Sequence, residues 1–153
     1  MAVVDAKTFT LPLKEPFGMV LEALGKPSSS VPFIMPKRIA ETPSDKQITE
    51  FVGSGPFVFK KDMWRPGEKV VYDKFADYKP RPEPASGLAG GKVVKVDRVE
   101  WIAIADQQTQ VNAILNGEID MVENVPPDLL PLLQKDKKVT VMVVNTAGRQ
   151  YEL

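Results

Sequence analysis

Fourteen prolines in 153 residues leave this chain little room for long helices. A proline inside a helix removes a backbone hydrogen bond and clashes with the turn before it. The proline share is about twice the usual one, so short helices, short strands and loops must build the fold. The prolines also punctuate the chain. "KPSSSVPF" reads as a loop. "TPSDKQ" reads as a loop and a boundary between two packed units. "YKPRPEPASGLAGGK" reads as a long surface loop, with Leu88 as its anchor.

Between these breaks the apolar residues carry readable periods. "KTFTLPL" alternates Phe9, Leu11 and Leu13 with Thr8, Thr10 and Pro12, an edge strand by its proline. In "EPFGMVLEALG", Met19, Val20, Ala23 and Leu24 share one helical face and Gly25 is a stop. "MPKRIAE" predicts one or two helical turns starting near Pro36. Strands over Phe57–Met63 and Lys69–Phe75 form a hairpin, with Pro66 and Gly67 where a type II turn wants them.

The second half predicts strand, helix, strand, helix, strand, which is the grammar of an α/β (mixed α+β) fold. "KVDRVEWIAIAD" sets Val99, Trp101 and Ala103 on one face and Ile102 and Ile104 on the other, so this strand is expected to be buried on both sides, with Trp101 in the core. Asp106 caps a helix through "QQTQVNAILNG", whose stripe is Val111, Ile114 and Leu115 and whose end is Asn116-Gly117; Gln107, Gln108 and Gln110 are expected in solvent. "EIDMVE" reads as a short strand. "PPDLLPLLQKD" reads as a helix with Leu129, Leu132 and Leu133 on one face and Pro131 dividing it, and "KVTVMVVN" as a buried strand. Val99–Ile104 and Val139–Val144 are expected in one sheet, flanked by the helix Asp106–Asn116.

"GSGPF" raises the possibility of a phosphate loop. Such loops converge successive N–H groups on the anion at a helix start, with a lysine behind. Here Pro56 removes one N–H, the period-two run "FVFKK" follows, and no Gly-Lys-Ser/Thr is present. The stretch reads as a turn opening a strand, with positive φ expected at Gly53 or Gly55.

Twenty basic and twenty acidic residues give zero formal charge, so no global field draws nucleic acid or an anionic membrane. The chain has no cysteine and no histidine, which excludes disulfides, the Ser-His-Asp triad and the usual zinc ligands. Glu118, Asp120 and Glu123 lack calcium-loop spacing, so no metal is expected. No run of about 20 apolar residues is present to cross a membrane as a helix. The start has no signal-peptide pattern, and the closing "AGRQYEL" has no stop signal, so the chain reads as an internal fragment of something longer.

Several stretches together resemble the extracellular solute-binding proteins of peptide- and nickel-type ABC importers, the oligopeptide- and dipeptide-binding family. They are "FTLPLKEPF", the Gly53-Ser54-Gly55-Pro56-Phe57 motif, the turn Pro66–Glu68, the pair Asp77 and Tyr78, and "VEWIAIADQQTQVNAILNGEIDMVENVPPDLLPLL". The family often has tyrosine at the place of Phe57. The resemblance implies part of a two-lobe binding fold, with residues 1–46 in a small accessory lobe and 47–153 in a main lobe ending at the hinge crossing. It implies a peptide or small-molecule solute, a membrane permease of an ABC importer as partner, a periplasmic or extracellular place with possible lipid anchoring, and a monomer with no cofactor and no nucleic acid. It implies no enzymatic step. Ser54 is the side chain of its turn placed to face a cleft, and Arg149, Gln150 and Tyr151 stand where the hinge crossing touches ligand. Two rival readings are a non-enzymatic protein-interaction module and a carboxylate-based hydrolase.

Overall fold

The computed structural model describes residues 2–25, 33–86 and 89–143. It is a mixed α/β structure with two small antiparallel sheets and four short helices among those residues. The strand expected over "KTFTLPL" is brief: β1 (Ala2–Val3) pairs with β2 (Phe9–Thr10), closed by the Val4 N–H on the Thr8 carbonyl at 3.0 Å. Helix α1 (Val20–Leu24) ends at Gly25, and α2 (Lys37–Ala40) starts directly after Pro36, as the capping signals predict.

The hairpin is shorter on its first arm than expected. Strand β3 (Phe57–Phe59) stops early, and Lys61–Met63 forms a 3₁₀ turn. This turn returns Trp64 to Phe59, edge-on at 5.9 Å between ring centres. Strand β4 (Lys69–Lys74) follows the turn at Pro66-Gly67. Gly67 has φ of 77°, and the Glu68 N–H reaches the Arg65 carbonyl at 3.0 Å, the pattern a type II turn requires.

Strand β5 (Arg98–Ile102) completes a sheet in the order β3–β4–β5. Its register with β4 places Asp73 opposite Arg98, Val71 opposite Glu100 and Lys69 opposite Ile102 on one face. Val70 faces Trp101 and Tyr72 faces Val99 on the other. The expectation that this strand is buried on both sides is wrong. On the face of Val71 and Ile102, four charged side chains pair with one another. Arg98 donates to Asp73 from Nε at 2.6 Å and Nη2 at 3.2 Å, and Lys69 meets Glu100 at 3.2 Å. Such pairs keep their heads in water and cover the sheet with their stems. Trp101, on the other face, is 49% exposed and is not a core residue.

Helix α3 (Gln107–Asn116) forms as its local signals require. The Asp106 carboxylate accepts from the Thr109 N–H at 2.7 Å and from its hydroxyl at 2.6 Å. At the other end Gly117 has φ of 73°, and the N–H groups of Glu118 and Gly117 close on the carbonyls of Ala113 and Ile114. That is a Schellman cap. Gln110 is not free in solvent: its amide donates to the Ile104 carbonyl at 2.5 Å. Helix α4 (Leu130–Lys135) carries Pro131 in its first turn, where no helical N–H is lost, so the proline starts the helix and does not divide it.

The strands expected at "EIDMVE" and over 139–143 are absent; both stretches are irregular among the described residues, and Val144 lies outside them. The single sheet expected of Val99–Ile104 with Val139–Val144 is therefore not found. Met142 is 74% exposed, the opposite of a buried strand. β-branched composition gives only propensity, and a strand needs a neighbour's N–H and C=O groups in register. Leu88 lies outside the described residues.

The chain divides into two compact units, Met1–Val58 with Lys74–Asp97, and Phe59–Asp73 with Arg98–Leu153. In the first, Ile39 is the buried apolar residue among those described, and Arg38 is tied to Glu50 by Nη2 at 2.7 Å and Nε at 3.3 Å. In the second, Val71, Val111, Ala113 and Leu133 are buried.

Candidate functional site

The glycines of "GSGPF" do not adopt the backbone expected of them. Positive φ occurs at Gly67, Gly90 and Gly117, and not at Gly53 or Gly55. Open space surrounds the position a Cβ would take at either. The stretch launches β3 by pairing, with the Pro56 carbonyl accepting the Phe75 N–H at 2.8 Å. An extended entry of this kind needs no left-handed residue.

Ser54 is exposed and lines an open depression of about 460 Å³. Tyr78, Lys79, Arg81, Gly90 and Lys92 line it too. Arg149, Gln150 and Tyr151 lie outside the described residues. The depression belongs wholly to the first unit, and the proline- and glycine-rich loop builds most of it.

That loop is folded on itself, which explains its glycines. Gly90 has φ of 77°, and a Cβ there would run into the Pro84 backbone. A Cβ at Gly91 would run into the carbonyls of Arg81 and Glu83. The Gly91 N–H donates to the Glu83 carbonyl at 2.8 Å, and Ser86 and Ala89 exchange backbone bonds of 3.0 and 2.8 Å. Close approach of two backbones is a place where only glycine fits.

Glu83 takes Nε of Arg81 at 3.2 Å and Nη2 at 2.8 Å. These hydrogen bonds hold the Glu83 carboxyl below its ordinary range and raise Arg81 further. The fork fixes the guanidinium and leaves Nη1 outside the pair. Lys79 and Lys92 have no carboxylate at ion-pair distance among the described residues. The lining thus includes Lys79, Lys92 and Arg81, the last already paired with Glu83, together with Ser54 and Tyr78, and none of the lining residues is acidic.

A second, smaller depression of about 130 Å³ adjoins the first. It shares Pro56, Tyr78 and Lys92 with it and adds Phe75, Pro80 and Val93. Among the described residues no group of three or more carboxylates is placed to hold a metal ion. The larger depression is polar and cationic, and the smaller is mainly apolar with Lys74 and Lys92 also in its lining. Sequence reasoning singled out Ser54 and missed Lys79, Arg81 and Lys92. The signal for them was present: basic residues spaced through the prolines of "YKPRPEP", returning at Lys92 after paired glycines.

The model of the bacterial extracellular solute-binding proteins, family 5 middle region, matches residues 1–152. A probable peptide ABC transporter periplasmic-binding protein of Sinorhizobium fredii is 44% identical over 146 residues, which is 94% of this chain and 27% of the relative. The glutathione-binding protein of Shigella flexneri is 26% identical over 152 residues, 97% of this chain and 26% of the relative. That of Escherichia coli K12 is 26% identical over 149 residues, with coverage of 97% and 26%. The chain therefore spans about a quarter of the length of these relatives.

Proposed function

Since this chain belongs to the bacterial extracellular solute-binding proteins of family 5, we propose that it forms one wall of a site that captures a short peptide or similar small solute and presents it to the permease of an ABC importer. The observation that carries this reading is the 44% identity to a peptide importer's binding protein across nearly the whole chain. The place is the periplasm or the cell exterior, the working form is a monomer, and nucleic acid has no part. Residues 1–46 belong to the small accessory lobe and 47–153 to a main lobe. Ser54 faces the solute from its depression. Arg149, Gln150 and Tyr151 contact it where the chain crosses the hinge. No bond of the solute is made or broken: the work is burial of the solute surface, a few placed hydrogen bonds, and closure as a shift of population. The concave ground beside β3 supports a solute wall over a flat protein-interaction edge.

One wall alone is a weak binder. Small-molecule sites bury about 70–90% of the ligand surface, and each missing polar partner removes about 0.5–1.5 kcal/mol. Several such losses reach the roughly 4 kcal/mol that separates micromolar from millimolar binding. The test is titration of a di- and tripeptide library into two proteins. One is the chain itself. The other is the Sinorhizobium relative carrying this chain in place of its own matching segment. The second should retain peptides at micromolar levels and release them chemically intact, and the first should bind at millimolar levels. Cleaved peptides, or equal tight affinity in both, would overturn the reading.

A further inference from the structure

We propose that the two adjoining depressions take a small carboxylate bearing an apolar side chain. Resting on the solute-binding function above, this is the carboxyl end of a short peptide. The charge of the lining points to an anion. Lys79 and Lys92 border the larger depression without a carboxylate partner among the described residues, and Glu83 engages Arg81 through Nε and Nη2 while Nη1 stays outside the pair. Concave walls of one charge sign concentrate the opposite sign in solution. A free ammonium group would be repelled there, so an amino terminus is disfavoured.

Ser54 and Tyr78, also in the lining, carry hydroxyls able to donate to carboxylate oxygens. The loop that carries the cations is braced by the Gly91–Glu83 and Ser86–Ala89 backbone bonds. The backbone that carries the cations is therefore fixed before a ligand arrives, and Arg81 is also held by Glu83, which lowers part of the ordering cost of binding.

The neighbouring depression decides between anions. Phe75, Pro80 and Val93 offer apolar surface, and Tyr78 and Lys92 border both hollows. Inorganic phosphate has no group for the apolar side, whereas a terminal residue of a peptide sets its carboxylate and its side chain on neighbouring atoms. Burial of that side chain adds hydrophobic stabilisation that phosphate and acetate lack.

The test uses the 153-residue chain with four probes: N-acetyl-leucine, N-acetyl-leucinamide, acetate and inorganic phosphate, followed by calorimetry or NMR at low and high salt. N-acetyl-leucine should bind at least about tenfold more tightly than each other probe, and added salt should weaken it. Lys79→Gln and Lys92→Gln should each weaken it about two- to fivefold, the range for exposed ion pairs. Lys137→Gln, far from the lining in sequence and absent from it, should change nothing. Both site lysines are exposed and unpaired among the described residues, so neither variant threatens the fold. Equal binding of acid and amide, equal binding of phosphate, insensitivity to both lysine variants, or no saturation by about 10 mM would each overturn the proposal. The peptide library reads the broader function separately: peptides retained there without any carboxylate preference here would leave that function standing and remove this site.

Discussion

Alanine at Gly53 or Gly55 is expected to be neutral, or to raise stability by about 0.4–1 kcal/mol, because φ is ordinary there, a Cβ meets open space, and the unfolded chain loses freedom. Alanine at Gly117 should instead cost about 1–2 kcal/mol, since φ is 73° and a side chain in the left-handed region meets its own carbonyl. Denaturant midpoints of the single variants check both signs, and a loss at Gly53 as large as at Gly117 would sink the contrast. The residue scale is also where sequence reasoning was most uneven. Gly67 was legible because Pro66 before it specifies the turn. Gly53 and Gly55 were misread because "GSGP" fits several turns and an extended entry equally well. Trp101 was misread because its neighbours are apolar, while its exposure depends on what stands across the sheet. At 49% exposure, Trp101→Ala should cost about half of the 3–5 kcal/mol a buried tryptophan would.

At the scale of elements, α3 was legible end to end because each of its signals is local: the Asp106 cap, the Val111 stripe and the Gly117 stop lie within a dozen residues. Strand pairing is set by residues far apart in sequence, and there the reading failed at "EIDMVE" and "KVTVMVVN". The same contrast governs acid behaviour. Thr109 hydrogen bonds lower the Asp106 pKa, and Arg98 hydrogen bonds lower that of Asp73. A carboxylate depressed in the folded state stabilises above its unfolded pKa, about 3.9, and loses that contribution as pH falls through the depressed value. Helicity at α3 should therefore decline below about pH 4. Asp106→Asn keeps a capping oxygen but removes the titration. That variant should flatten the acid limb of the circular dichroism profile while leaving neutral helicity intact. An acid limb unchanged by Asp106→Asn would show that the cap carries none of it.

At the scale of the whole chain, the distribution of buried apolar residues sets what unfolds first. Among the described residues Val71, Val111, Ala113 and Leu133 are buried in the second unit, and Ile39 in the first. Each buried valine, leucine or isoleucine contributes about 1.5–3 kcal/mol relative to exposure, and the alanine about 0.8 kcal/mol or less. The second unit thus has several such contributions against chain entropy and the first has one. Proteins open locally where buried contacts are fewest. In the first unit, α1 has no buried residue, and Phe17, Met19, Leu21 and Leu24 are all exposed. Exposed apolar side chains in that number mark a surface suited to cover by another part of a protein, in keeping with a chain that spans about a quarter of its relatives. Hydrogen exchange should accordingly show α1 and the β1–β2 pair exchanging near the rate of an unfolded chain, and α3 and β4 protected to the stability of the second unit. Leu133→Ala, at a side chain only 3% exposed, should cost about 2–5 kcal/mol and lower protection in α3 and β4, with α1 already unprotected and unchanged. Protection spread evenly over α1 and α3, falling together in Leu133→Ala, would show one cooperative body and overturn the assignment of stability to the second unit.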